Sequence, residues 1–156
     1  MNPSNPPPPD PAWKACTCRA NHWLQQGSHQ QAEAEYRQAL ALAETLLQTA
    51  RVQLDNAHAI HVYAISCHNL ATVYTRLECD FLAEGALLAA HGAAVGTLDD
   101  IGLPHAFRWE ALCALRANMF QLIDFYRGRG RKADRDAIVE RSTASAVQFL
   151  STLQPP

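Results

Sequence analysis

Apolar side chains recur at three- and four-residue intervals along most of this chain, which is the spacing of one face of an α-helix. One stripe comprises Ala32, Tyr36, Ala39, Leu40, Ala43, Leu47 and Ala50, and another comprises Ile60, Ala64, Cys67, Ala71 and Tyr74. Together with the residues that interrupt it, the pattern predicts six helices, at 12–26, 28–54, 57–77, 80–96, 104–127 and 133–152. Short turns between neighbours predict an all-α domain of three antiparallel helical hairpins.

Cap residues mark the predicted helix ends. Gly27 lies where a C-terminal cap is expected, and Ser28 followed by Gln31 has the spacing of a capping box. The later helix starts are expected at Asp55 or Asn56, at Asp80 and at Pro104. Local chemistry and hydrophobic spacing therefore predict the same boundaries.

The composition agrees with a helical chain. Alanine and leucine occur 27 and 18 times, whereas the β-branched valine and isoleucine occur 6 and 5 times. Eight of the nine prolines lie in the terminal tails, and only Pro104 interrupts the stretch between them. We therefore expect a disordered, proline-rich tail at 1–11 and a single helical domain at 12–154.

Charge and cysteine content restrict the classes of function. The net charge is −2, and the short basic run at 127–132 is expected to be a solvated turn, so nucleic acid is not an expected partner. No apolar stretch reaches the roughly 18 residues of a membrane span, and the N-terminus has no leader pattern. Five cysteines, an odd number, favour reduced thiols. A cytoplasmic location is expected.

Two segments repeat a common pattern of small and bulky residues. In segment 24–40 these are Gly27, Ala32, Tyr36 and Ala39, and in segment 68–90 they are Leu70, Ala71, Tyr74, Ala83, Leu87 and Ala90. The pattern resembles that of tetratricopeptide repeats, in which small residues of one helix face bulky residues of the other. The resemblance implies three hairpins in a right-handed superhelix.

The repeat is longer than the standard one. Ala32 and Ala83 occupy equivalent positions 51 residues apart, whereas a standard repeat has about 34. This length is similar to the long-helix repeats of kinesin light chain. Glu78 replaces the turn glycine in the second unit, and a third unit at 112–147 is expected to place Gly128 at the turn and Ala133 at the small position.

The resemblance also implies a binding surface. Asn21 and Asn69 match asparagines with which some tetratricopeptide domains hold the main chain or C-terminal carboxylate of a peptide. With His68, Thr72 and Arg76 they define a predicted peptide groove. The expected function is that of an adaptor or chaperone-like protein that binds a partner protein or peptide. Homodimerisation, which would cover the apolar faces at the ends of a short repeat array, stays an open alternative.

Cysteine and histidine residues suggest an alternative, a metal-binding helical bundle. Cys16, Cys18 and His22 form C-x-C-x₃-H, and thiolate with imidazole suits zinc or copper. No second ligand pair of this kind follows. His58 and His61 are one turn apart but have no nearby cysteine at a matching position on the helix. The metal-binding alternative therefore depends on Cys16, Cys18 and His22.

The sequence gives little support to catalysis. It contains no G-x-S-x-G, no phosphate-binding loop, no H-E-x-x-H and no dinucleotide fingerprint. Cys67 and His68 are neighbours and so point about 100° apart on a helix, which prevents them from acting as nucleophile and base. We expect a binding protein without a cofactor, not an enzyme.

Overall fold

The computed structural model describes residues 10–153, which form helices and no strand. Six helices follow in the order α1 (Pro11–Gln25), α2 (His29–Gln53), α3 (Ala59–Arg76), α4 (Asp80–Asp99), α5 (His105–Arg127) and α6 (Lys132–Ser151). Every predicted helix is present with ends displaced by at most three residues. The all-α prediction is confirmed.

The first helix begins inside the predicted tail. Asp10 is its N-cap, and the Asp10 carboxylate accepts hydrogen bonds from the backbone N–H of Ala12 at 2.7 Å and of Trp13 at 3.2 Å. Pro11 takes the first helical position, where its missing N–H has no cost. The assignment of residue 11 to the tail is therefore wrong. The rest of the predicted tail at 1–9 and the last predicted domain residue, 154, lie outside the described residues.

The three hairpin turns share one backbone geometry. Gly27, Glu78 and Gly130 each adopt a positive φ, of 75°, 58° and 68°, and follow one another at intervals of 51 and 52 residues. After each of them, a backbone N–H donates to the carbonyl five residues earlier: Ser28 to Trp23, Cys79 to Tyr74 and Arg131 to Tyr126. This is the Schellman ending of a helix, and α2 ends in the same way at Leu54, where Asp55 donates to the Ala50 carbonyl. The 51-residue spacing of the equivalent alanines therefore matches the spacing of the first two backbone turns.

The same geometry corrects the predicted third unit. Gly130, not Gly128, adopts the turn conformation. Counting from the turn as in the first two units, Arg135 and not Ala133 then takes the small-residue position. The glycine-rich sequence offered two candidate turns, and only the backbone conformation distinguishes them.

Glu78 provides a test of this turn geometry. A left-handed conformation costs a residue with a side chain roughly 1–2 kcal/mol, and glycine avoids most of that cost. We expect Glu78→Gly to raise the free energy of unfolding by about 0.5–1 kcal/mol in urea denaturation. The matched control is Glu140→Gly in the exposed interior of α6, which should lower it by about 1 kcal/mol. Destabilisation by both substitutions would show that Glu78 is not strained.

Several predicted caps differ from the structure. Ser28 is the N-cap of α2, but its side chain makes no capping hydrogen bond, so the capping box is absent. Cys79 and not Asp80 is the N-cap of α4, because the Asp80 carboxylate binds Arg129. His58 precedes α3, in place of Asp55 or Asn56. At α4, the residue predicted to cap the helix binds a tertiary partner instead.

Small residues let the helices pack closely. All the alanines assigned to this role are buried, as are the bulky residues assigned to face them: Ala32, Ala39, Ala71, Ala83, Ala90, Tyr36, Tyr74 and Leu87. Each helix contacts the next one, and α3 also contacts α5 while α4 contacts α6. The second and third hairpins therefore pack side by side.

Helix α4 is long and apolar enough to cross a membrane by length and composition, with a mean hydropathy of 1.4. The expectation that no apolar stretch reaches this length therefore does not hold for α4, which is apolar enough overall although it contains Glu84. In the structure, 44% of the apolar window is buried. Core helices of folded domains meet the same criterion, and α4 packs against α3 and α5.

Candidate functional site

Four of the five predicted groove residues lie in the second half of α3. His68 and Asn69 are half-buried, and Thr72 and Arg76 are exposed. Intervals of four residues place His68, Thr72 and Arg76 on one face of the helix. The Thr72 hydroxyl donates to the His68 carbonyl at 3.0 Å. These residues form a row of polar side chains along α3, of which Thr72 and Arg76 are exposed.

The fifth predicted residue lies on α1 and contacts a tyrosine that the repeat pattern assigned only to packing. Asn21 is exposed on α1, and its side-chain oxygen accepts a hydrogen bond from the hydroxyl of Tyr36 on α2. Burial raises the pKa of Tyr36, and the nearby Arg76 guanidinium partly offsets this increase. The Tyr36 hydroxyl is thus bonded to Asn21 and is influenced by the charge of Arg76, which is 55 positions from Asn21 in the chain.

Most arginines of the protein form ion pairs with carboxylates, and Arg76 is an exception among the described residues. Within residues 10–153, ion pairs to carboxylates are formed by Arg19, Arg37, Arg51, Arg127, Arg129, Arg131, Arg135 and Arg141. Over the same range, Arg76 forms none. Its guanidinium is exposed to solvent.

His68 is directed toward the next hairpin. Its Nε2 is buried without a hydrogen-bond partner in the described part of the chain, as is Oδ1 of the fully buried Asn118 on α5. The Asn118 amide nitrogen donates to the Ala90 carbonyl at 2.9 Å. Burial lowers the pKa of His68, and the neighbouring Asn118 partly offsets the decrease. His68 therefore contributes to the contact between α3 and α5 more than to an open surface.

The residues of the alternative metal site do not converge. Cys16 is buried and accepts a hydrogen bond from Arg19 at 3.2 Å, Cys18 is exposed, and His22 lies 3.0 Å from Gln26. Among residues 10–153, their three ligand atoms do not all lie within 4.8 Å of one another. The structure gives no support to a three-ligand site at this position.

A different set of ligands does converge. The ligand atoms of His58, His61 and Glu110 all lie within 4.8 Å of one another, and all three residues are half-buried. Glu110 Oε2 is 2.7 Å from His61 Nε2 and 3.4 Å from His58 Nδ1. The histidine pair was visible in the sequence, but Glu110 is 49 residues beyond His61. Only the packing of α5 against α3 shows the cluster.

The basic turn is packed and neutralised, in contrast to the expected solvated loop. Arg129 binds Asp80 and lies over the Phe125 ring at 3.7 Å. Arg131 binds Glu84 at 2.6 Å and lies over Tyr126. These guanidinium groups lower the pKa of Asp80 and of Glu84. The turn therefore connects α4 to the last hairpin and presents little uncompensated positive charge.

The thiol of Cys67 is not poised for nucleophilic chemistry. It is fully buried in contact with Ala64 and Ala90, and burial raises its pKa to about 12. A reactive cysteine instead needs an exposed thiolate with a lowered pKa.

A cleft of about 580 Å³ lies on another part of the surface. Its lining includes Gln48 and Arg51 of α2, Tyr63 of α3 and Ala93 of α4. None of the five predicted groove residues lines this cleft. The cleft is therefore separate from the predicted groove and serves as a control surface in binding experiments.

The comparisons with known proteins identify a family. No curated protein and no solved structure matches the chain. One family, described as protein of unknown function (DUF2753), matches residues 11–153. Since this match spans the whole helical region, the chain belongs to the DUF2753 family.

Proposed function

We propose that this protein binds a partner protein by holding an extended peptide segment along α3, beside α1. The proposed arrangement is a tetratricopeptide-like array of long hairpins, and the shared turn geometry at intervals of 51 and 52 residues supports it. In such an array the first helices of successive hairpins line one surface. The protein would act as an adaptor or chaperone-like factor in the cytoplasm.

The observation that carries this proposal is an exposed Arg76 guanidinium that forms no ion pair within residues 10–153 and whose charge acts on the Tyr36 hydroxyl bonded to Asn21. An exposed guanidinium without an ion pair favours an anionic ligand group. The side-chain amides of Asn21 and Asn69 can bind the main chain of an extended peptide. The ligand that fits is therefore a peptide with an acidic side chain or its C-terminal carboxylate beside Arg76.

Part of the proposed groove is held in place before any ligand arrives. The side-chain oxygen of Asn21 is bonded to a buried tyrosine, and Asn69 and Thr72 extend from a helix that packs against α2, α4 and α5. A preformed site loses little conformational entropy on binding. This rigidity suits recognition of a flexible segment.

Selection of peptides from a displayed random library tests the proposal. We expect the enriched peptides to share an acidic residue or a free C-terminus and to bind less tightly as salt is raised. Arg76→Ala should weaken binding by about tenfold or more, because a charge-assisted hydrogen bond contributes roughly 1.5–3 kcal/mol. Arg116→Ala, at an exposed α5 arginine, is the matched control and should leave affinity unchanged.

A second control separates the groove from the cleft beside α2. Gln48 is exposed and lines that cleft. If Gln48→Ala abolishes peptide binding and Arg76→Ala leaves it intact, the ligand occupies the cleft. The proposed groove would then be wrong.

A further inference from the structure

We propose that His58, His61 and Glu110 bind one zinc ion. This site shares none of its residues with the groove and does not depend on the proposed function. His58 is the N-cap of α3, His61 lies in the first turn of that helix, and Glu110 lies near the start of α5. A bound ion would therefore join the second and third hairpins.

The spacing of the ligand atoms fits a small cation. Zinc bonds of about 2.0–2.1 Å at tetrahedral angles place ligand atoms roughly 3.3 Å apart. Glu110 Oε2 lies 2.7 Å from His61 Nε2 and 3.4 Å from His58 Nδ1, and the two histidine nitrogens are within 4.8 Å of each other. These separations bracket the value that a tetrahedral zinc site requires.

The donor set selects the class of metal. Two imidazoles and one carboxylate suit zinc and its neighbours among the divalent transition metals, whereas calcium and magnesium prefer all-oxygen sites. The side chains of His58 and His61 are 44% and 35% exposed. Water can thus reach a fourth position, as in zinc sites with three protein ligands.

Titration of the untagged full chain with zinc, followed by calorimetry, tests the site. We expect one zinc per chain. Both His61→Ala and Glu110→Gln should weaken binding by about 100-fold, since even losing a residue that only orients a ligand costs 10–100-fold. His22→Ala, at an exposed histidine of α1, is the matched control and should bind as tightly as wild type. Glu110→Gln keeps the side-chain volume, so it remains decisive if His61→Ala is unstable.

Thermal unfolding gives an independent measurement. Zinc should raise the melting temperature of the wild type and of His22→Ala, but not of Glu110→Gln. Unchanged zinc affinity in Glu110→Gln would overturn the proposal. Loss of binding in His22→Ala or Cys18→Ser alone would place the metal on α1 and overturn it equally, as would binding only at millimolar zinc.

Discussion

Replacing Tyr36 with alanine is expected to lower the free energy of unfolding by about 3–5 kcal/mol. The side chain is only 2% exposed and packs in the cluster that also contains Leu70 and Leu122, so it links the first hairpin to α3 and α5. Folded domains of this kind are stable by roughly 5–15 kcal/mol, so the loss is a large fraction of the total. Urea denaturation followed by far-ultraviolet circular dichroism measures it.

Tyr36→Phe separates the hydroxyl from the ring. It should lower the free energy of unfolding by only about 1 kcal/mol, because the ring stays packed and one hydrogen bond is lost. It should also weaken peptide binding, as Asn21→Ala should, because the Asn21 amide loses the hydroxyl that orients it. A loss below about 1 kcal/mol for Tyr36→Ala would mean that the hairpins do not share this core.

Replacing Phe149 with alanine is the second change with a large expected effect, again about 3–5 kcal/mol. Phe149 is 1% exposed and packs with Ile60 and Leu98, and the buried Arg108 guanidinium lies 4.7 Å from its ring centre. Arg108 also donates to the Leu98 carbonyl at 2.8 Å. Removing the ring would leave a cavity beside a buried charge.

Val147→Ala is the matched control for Phe149→Ala. Val147 lies on the same helix but is 61% exposed, so the expected change is within about 0.5 kcal/mol. Hydrogen exchange should show that Phe149→Ala lowers protection in α3 and α5 as well as in α6. Faster exchange confined to α6 would contradict the predicted single domain, because the last helix would then open by itself.

The helices could be predicted because their signal is local. Apolar spacing and turn residues depend on neighbours a few positions away, and every predicted helix is found within three residues of its expected ends. The caps were harder to predict, since Asp80 binds Arg129, 49 residues away, in preference to capping α4. The prediction of the third turn was wrong for a related reason, because only the backbone conformation shows that Gly130, and not Gly128, occupies the turn position.

The residues of the candidate sites also differ in whether local spacing along one helix predicts them. His68, Asn69, Thr72 and Arg76 follow from spacing along one helix, so sequence alone could group them. The roles of Tyr36 and Glu110 depend on contacts across several helices, and no local pattern marks either residue as part of a site. Residues brought together by packing are visible only in three dimensions.

Chemical-shift mapping by nuclear magnetic resonance tests the central claim, that the polar row of α3 binds peptide, most directly. A peptide selected on the wild-type protein would be titrated into isotope-labelled protein. We predict that the largest shifts occur at Asn21, Asn69, Thr72 and Arg76, and that they are lost in Arg76→Ala. Shifts centred on Gln48 and Arg51, with the α3 row unchanged, would contradict it.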